Sequence, residues 1–397
     1  MVVRAGTRVA LSVSLVIAFV AHAAVAQEVQ WLEYRSGEDL RSMGIVGQKA
    51  LELSSERPDG VDLPEFESKS PLFARWPSPM VPDGYLWIAL DRSSESGPYD
   101  RLFIDSDWDG DLKDETVVMA HQIDPNSAMF GPVTVVLMGE TDLLVDYHLR
   151  LASVTQEGRN RLYVFAGGSC KGTITVGGEQ KRFVLIDLNV NGSFADRPFD
   201  MNFNDCDLIQ IGPQGGEQVE LVGKYLKVDD KLYQMEVPSD GAYISLVEAD
   251  NVTFGTVTLP QEATEFTAGG ENGSFTMHPT NGSVQLPVGK YQINHWTIER
   301  TDEEGIRWEL QGVGFGDKGY FDVTENAETN LIVGEPVVLA AHVTEANSVY
   351  RLDQSRLKGT FDETMTILRN GSPVRPPRLH IKSKDGSYDR IFSFQYG

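Results

Sequence analysis

The chain has 397 residues, with 58 acidic against 34 basic side chains and a formal net charge of −24. So large an excess of negative charge disfavours binding to nucleic acid or to an anionic membrane surface. The length is too great for one hydrophobic core and implies about two or three domains.

At the amino terminus Arg4 and Arg8 precede an apolar run from Val9 to Val20, and Ala24, Val25 and Ala26 form a small-residue cleavage site before Gln27. Residues 1–26 therefore read as a secretory signal peptide. The apolar run is short for a bilayer span, no comparable run follows, and no cysteine stands at the cleavage point to accept a lipid. The mature chain is expected to be soluble and exported, to the periplasm, the cell surface or the medium, with no membrane span. Cleavage removes two arginines and no acid, which leaves the mature chain still more acidic. Such acidity suits a calcium-rich exterior.

From there, period-two alternation of apolar residues dominates. A short helix is expected around Gln48 to Leu53. The runs RLFI (Arg101 to Ile104), VTVVLMG (Val133 to Gly139), LLVDYHLRL (Leu143 to Leu151), RLYVFAG (Arg161 to Gly167), TITV (Thr173 to Val176) and RFVLID (Arg182 to Asp187) are β-branched or aromatic and end in glycine or polar turns. Gly177-Gly178, Asn272-Gly273, Asn281-Gly282 and Asn370-Gly371 supply the backbone freedom of tight hairpins. The fold class that follows is mainly β, with antiparallel sheets or sandwiches in tandem. Residues 27–250 form a first β-rich domain in this reading.

Two segments of that domain share one acidic pattern. Asp105 to Glu115 reads DSDWDGDLKDE, and Asp187 to Asp196 reads DLNVNGSFAD. In each, oxygen-bearing side chains occupy loop positions one, three and five, followed by a glycine, an apolar residue at position eight and a carboxylate at position ten. A hard cation such as Ca²⁺ takes six to eight oxygens, and alternating Asp/Asn around a glycine turn wraps several of them about one ion. Loop one offers Asp105, Asp107, Asp109, Asp114 and Glu115 as carboxylates, with a backbone carbonyl from Asp111. Loop two offers Asp187 and Asp196, with amide oxygens from Asn189 and Asn191. Fewer charges in loop two mean weaker affinity, and a metal-free Asx/Asn-Gly turn is the alternative there. Magnesium is disfavoured in both because it keeps several waters.

Cys170 and Cys206 bracket loop two. An even count in an exported protein favours a single disulfide between them.

A second region, residues 251–334, starts near TFGTVTLP (Thr253 to Pro260) and lacks any such acidic loop. Residues 335–397 again read as strands and turns, with a further small sandwich as one arrangement. Within the second region GSVQLPVGKYQINHW (Gly282 to Trp296) carries a Leu-Pro-x-Gly-x-Tyr turn entering an alternating strand. That segment resembles the hairpin of prealbumin-like and carboxypeptidase-regulatory Ig-like domains. With the signal peptide and the two acidic loops, the chain resembles exported bacterial β-rich proteins that combine D-x-[DN]-x-[DN]-G loops with Ig-type domains. The resemblance implies architecture and not activity. The loops also resemble EF-hand loops, but Thr116 and Pro198 stand where the bidentate glutamate would be, bulky Trp108 and Val190 occupy position four, and strands lead into both.

Catalytic chemistry is hard to find. The histidines are scattered, with no HExxH pair. GGSCKG (Gly167 to Gly172) places its last glycine one position too late for a nucleophile elbow around Ser169. The neighbouring acids Asp302, Glu303 and Glu304 precede Gly305 as in a hairpin tip, whereas glycosidase carboxylates must face each other across a bond. Most of the tryptophans are expected to pack in domain cores, although flat aromatic faces also suit sugar rings; Trp108, within loop one, is the first candidate for ligand contact if it is exposed. The leading expectation is a calcium-stabilised binding or structural protein of the cell surface or periplasm, its partner a glycan or a cell-surface protein. The alternative is a secreted hydrolase of glycan or peptide with acids assembled from distant loops.

Overall fold

The computed structural model describes residues 29–36, 47–198, 205–213, 218–346, 349–376 and 378–393. The expected signal peptide lies outside the described residues. The protein is almost entirely β, as the period-two pattern requires, and its sheets are antiparallel apart from one parallel pairing of Phe254–Thr258 with Glu328–Asn330. The described residues contain no α-helix, and the two helical turns, Glu140–Asp142 and Gly316–Gly319, are 3₁₀. The short helix expected near Gln48 is instead the strand Gln48–Leu51, paired with Leu162 to Phe165. Cross-strand pairing there overrides a weak helical pattern.

Four sheets enclose one core between Leu51 and Ile244. The first joins Leu72–Pro77, Tyr85–Asp91, Arg101–Ile104 and Val118–Met119. The second centres on the long strands Ser127–Met138 and Leu144–Gln156, the third on Gly168–Val176 and Glu179–Ile186, and the fourth on Lys231–Glu236 and Tyr243–Glu248. Alternation sends Val133, Val135 and Leu137, or Leu149 and Leu151, to the same enclosed face.

The first sheet is apolar on both faces. Ala74, Trp76, Leu86, Ile88, Leu102 and Ile104 enter the main core, whereas Phe73, Ala89 and Phe103 form a small second core with Leu112. Leu112 is the position-eight residue of loop one, so the loop is fastened to the outer face of this sheet.

A third core, from Val257 to Met365, belongs to the carboxy-terminal half. Its main sheet runs through Gly273–Met277, Ala263–Gly270, Gly289–Thr301 and Arg307–Val313, and is continued by Thr364–Arg369, Val349–Lys358 and Val338–Ala346. The Leu-Pro-x-Gly-x-Tyr turn is pinned by Tyr291, fully buried, whose hydroxyl donates to the Pro287 carbonyl at 2.8 Å. Hairpin tips at Asn281-Gly282 and Asn370-Gly371 hold both residues at positive φ, the geometry of a type I′ turn. The two halves are joined by main-chain bonds from Lys224 and Tyr225 to Glu271 and Asn272, and by Ser274 donating to buried Glu220.

The expected disulfide is corrected by the structure: Cys170 and Cys206 are both buried and not joined. Cys170 pairs with Leu185, Leu185 pairs with Ile209, and Cys206 precedes that third strand. A whole strand thus separates them. Two strand spacings amount to about 9–10 Å of sheet, beyond the ~7 Å limit for bridging Cα atoms. Burial also pushes the Cys170 thiol pKa far up, and Ser169 beside it is fully buried near the start of the same strand, so neither is placed to act as a nucleophile.

Candidate metal centre

Loop one leaves the first sheet at a fixed point, where the Asp105 N–H donates to the Trp87 carbonyl at 3.0 Å and extends the ladder by one residue. The chain then turns sharply, with Trp108 at φ 61° and Gly110 at φ 79°. Loop two repeats the device with Val190 at 54° and Gly192 at 90°. A β-branched residue in the left-handed region is strained, so something must hold it. Val190 is held by the Trp76 indole N–H, which donates to its carbonyl at 2.8 Å, and by complete burial of its side chain.

In loop one, Asp105, Asp107 and Asp109 bring carboxylate oxygens within 4.8 Å of one another, the one such cluster of three among the described residues. Asp105 is 4% exposed and accepts the Gly110 N–H at 3.2 Å through Oδ2. Its other oxygen, Oδ1, is buried and has no hydrogen-bond partner among the described residues. A buried carboxylate oxygen without a donor is costly. Burial, and then the like charges of Asp109 and Asp107, push the Asp105 carboxyl pKa up. A divalent cation would reverse that balance by favouring the ionised form and by giving Oδ1 a partner.

The remaining candidates in loop one divide. Asp111 caps the turn, accepting the Lys113 N–H at 2.7 Å, while Leu112 N–H donates to Asp62 at 2.8 Å and pins the loop's far side. Asp114 is exposed, and partial desolvation together with Asp111 and Asp109 raises its pKa. Glu115 folds back onto Ser106, accepting its N–H and, at 3.1 Å, its hydroxyl. It closes the loop at its base instead of joining the three aspartates. Trp108 is half-buried against the main core rather than displayed at the tip.

Loop two is a core element. Asp187 is fully buried and accepts the Tyr147 hydroxyl and the Gly192 N–H, each at 2.7 Å, and the Asn191 N–H at 3.2 Å. Burial pushes its pKa up. Asn189 and Asn191 turn their amide NH₂ groups onto Asp196 Oδ2, at 3.0 and 2.7 Å. Hydrogen-bond donors therefore converge on the position-ten carboxylate. Asn189 Oδ1 is left buried without a partner among the described residues.

Sequence reasoning missed Asp207. Fully buried, it accepts the N–H groups of Leu188 at 3.2 Å and Asp196 at 2.8 Å, clasping both ends of loop two. Burial and the nearby Asp187 and Asp196 drive its pKa well up. No local pattern points to it, because it stands just before the next strand and reaches the loop only through the pairing of Phe183–Ile186 with Leu208–Ile211.

Where the two halves meet, a cleft of about 830 Å³ is lined by Glu220, Asp229, Asp230, Lys227 and His278 among others. Its acids are engaged: Asp229 with Lys181 at 2.7 Å, Asp230 with Lys227 at 2.9 Å, Glu220 with Ser274 and Gln218. Among the described residues no helix is long and apolar enough to cross a membrane. Compared with known proteins, the chain matches no family model, no curated protein and no solved structure.

Proposed function

We propose that the protein is an exported binding or structural module of the cell surface or periplasm, stabilised by calcium in loop one. The observation that carries this reading is the buried, partnerless Asp105 Oδ1 in a group of three carboxylates. Asp105, Asp107 and Asp109 would hold the ion, with the Asp111 carbonyl and water completing the oxygen shell that Ca²⁺ prefers. The cation would supply charge compensation and tie the loop to the small core beneath Leu112. The reading as a module rather than a hydrolase is supported by the engaged acids of the cleft between the halves and by the buried, unreactive setting of Ser169 and Cys170.

Thermal melting with calcium and with chelator tests this. Binding to the folded state alone adds about 2.7 kcal/mol when calcium is a hundred times Kd. The wild type should melt higher in calcium, and Asp107→Ala with Asp109→Ala should lose the difference. A wild-type melting temperature indifferent to calcium would refute the proposal.

A further inference from the structure

On the outer face of the first sheet, Arg75, Trp87 and Asp105 lie in one row across three strands. Arg75 is the register partner of Trp87, and the Trp87 carbonyl takes the Asp105 N–H. The Arg75 guanidinium carbon sits 4.4 Å from the Trp87 ring centroid and 4.5 Å from that of Tyr85, the two rings standing at 87° to each other. Such contacts fix a guanidinium without consuming its hydrogen-bond donors. Arg75 is exposed, and its guanidinium forms no ion pair or hydrogen bond with any described residue, although acids outnumber bases 58 to 34 in this chain. Its planar fork of donors is held ready for an anion supplied from outside.

Two strand spacings, about 10 Å, separate the main chains of Arg75 and Asp105 along this row, and the guanidinium reaches back over the middle strand onto Trp87. We propose that Arg75 is the second anchoring point of a ligand surface whose first is the cation of loop one, and that the surface takes a carboxylated sugar chain. One uronate carboxylate binds the guanidinium in bidentate fashion, and another completes the coordination of the ion. Beside the guanidinium, Trp87 and Tyr85 are only partly buried. The ring surface that Arg75 leaves uncovered suits the C–H groups of a sugar ring, whereas an acidic peptide would lay unpaired backbone amides there. Because the aspartates repel a polyanion until they are neutralised, binding depends on calcium.

This inference rests on the calcium reading, and the test separates the two. A short oligogalacturonate is titrated calorimetrically into the full chain, in calcium and in chelator, beside its carboxyl-reduced form and an oligoglutamate of equal length. The expected result is calcium-dependent binding of the oligogalacturonate alone. Arg75→Gln should weaken it by at least about tenfold, and Arg75→Lys should fail to restore it because an ammonium cannot form the bidentate pair. The calcium-induced rise in melting temperature, measured without sugar, should be the same in Arg75→Gln as in the wild type, which shows that the variant is folded and loop one intact. Equal affinity in Arg75→Gln, equal binding of the carboxyl-reduced chain, or tighter binding of oligoglutamate would each overturn the proposal. A calcium response in melting without any oligogalacturonate binding would overturn it while leaving the calcium reading standing.

Discussion

The Tyr147 hydroxyl donates to Asp187 at 2.7 Å in a setting where both side chains are fully buried. Trp76 stacks on the same tyrosine ring at 6.0 Å and 16°, and its indole N–H reaches the Val190 carbonyl. Loop two is thus gripped from inside the core by two aromatic donors. Tyr147→Phe keeps the stacking and removes one donor from a buried carboxylate. It should cost about 1–3 kcal/mol in urea unfolding with an unchanged m-value. A loss within a few tenths of a kcal/mol would mean that the backbone N–H groups alone suffice.

Leu112 joins loop one to Phe73, Ala89 and Phe103. Leu112→Ala leaves a cavity under the loop and should destabilise the protein by about 2–5 kcal/mol. It should also weaken calcium binding, since the aspartates are no longer presented on a fixed base. Calorimetric titration of calcium into the folded variant checks the second effect, and an unaltered Kd would show that the loop holds its shape unaided.

Both thiols should remain unjoined in the purified protein. Denaturation without reductant followed by alkylation should modify Cys170 and Cys206 alike. In the native state reaction should be slow, because burial raises the Cys206 pKa to about 12 and that of Cys170 further still. Recovery of a peptide linking the two cysteines would contradict the strand order given above.

Glu220 provides the pH test. Burial raises its pKa above the usual 4.5, and Ser274 and Gln218 counter this only in part. A carboxyl whose folded-state pKa is raised contributes stability that is complete below its ordinary value and is lost as pH rises through the folded value. As pH rises above the usual glutamate value the wild type should therefore lose melting temperature relative to Glu220→Gln, whose amide does not titrate. Parallel pH profiles for the two proteins would place the source elsewhere.

The strands were legible because side-chain alternation is a local signal, and the metal pattern of loop one because Asp105, Asp107 and Asp109 lie at fixed offsets in one turn. What could not be read depends on register. The strand between Cys170 and Cys206, the arrival of Asp207 beneath loop two, and the row from Arg75 to Asp105 all arise from pairing between distant segments. The period-two pattern does not specify which strands pair. Trp108 shows the converse: its place in the loop was plain, but whether it faced water or core depended on what the sheet put behind it.

Arg307–Val313 acquires its second neighbour only when Thr364–Arg369 pairs with it. Until those late residues emerge from the ribosome, the growing chain carries an unprotected sheet edge whose free N–H and C=O groups can recruit another copy. The same exposure would recur in any chain cut short before Thr364. Premature termination near the carboxy terminus should therefore yield insoluble aggregates rather than a shortened native protein.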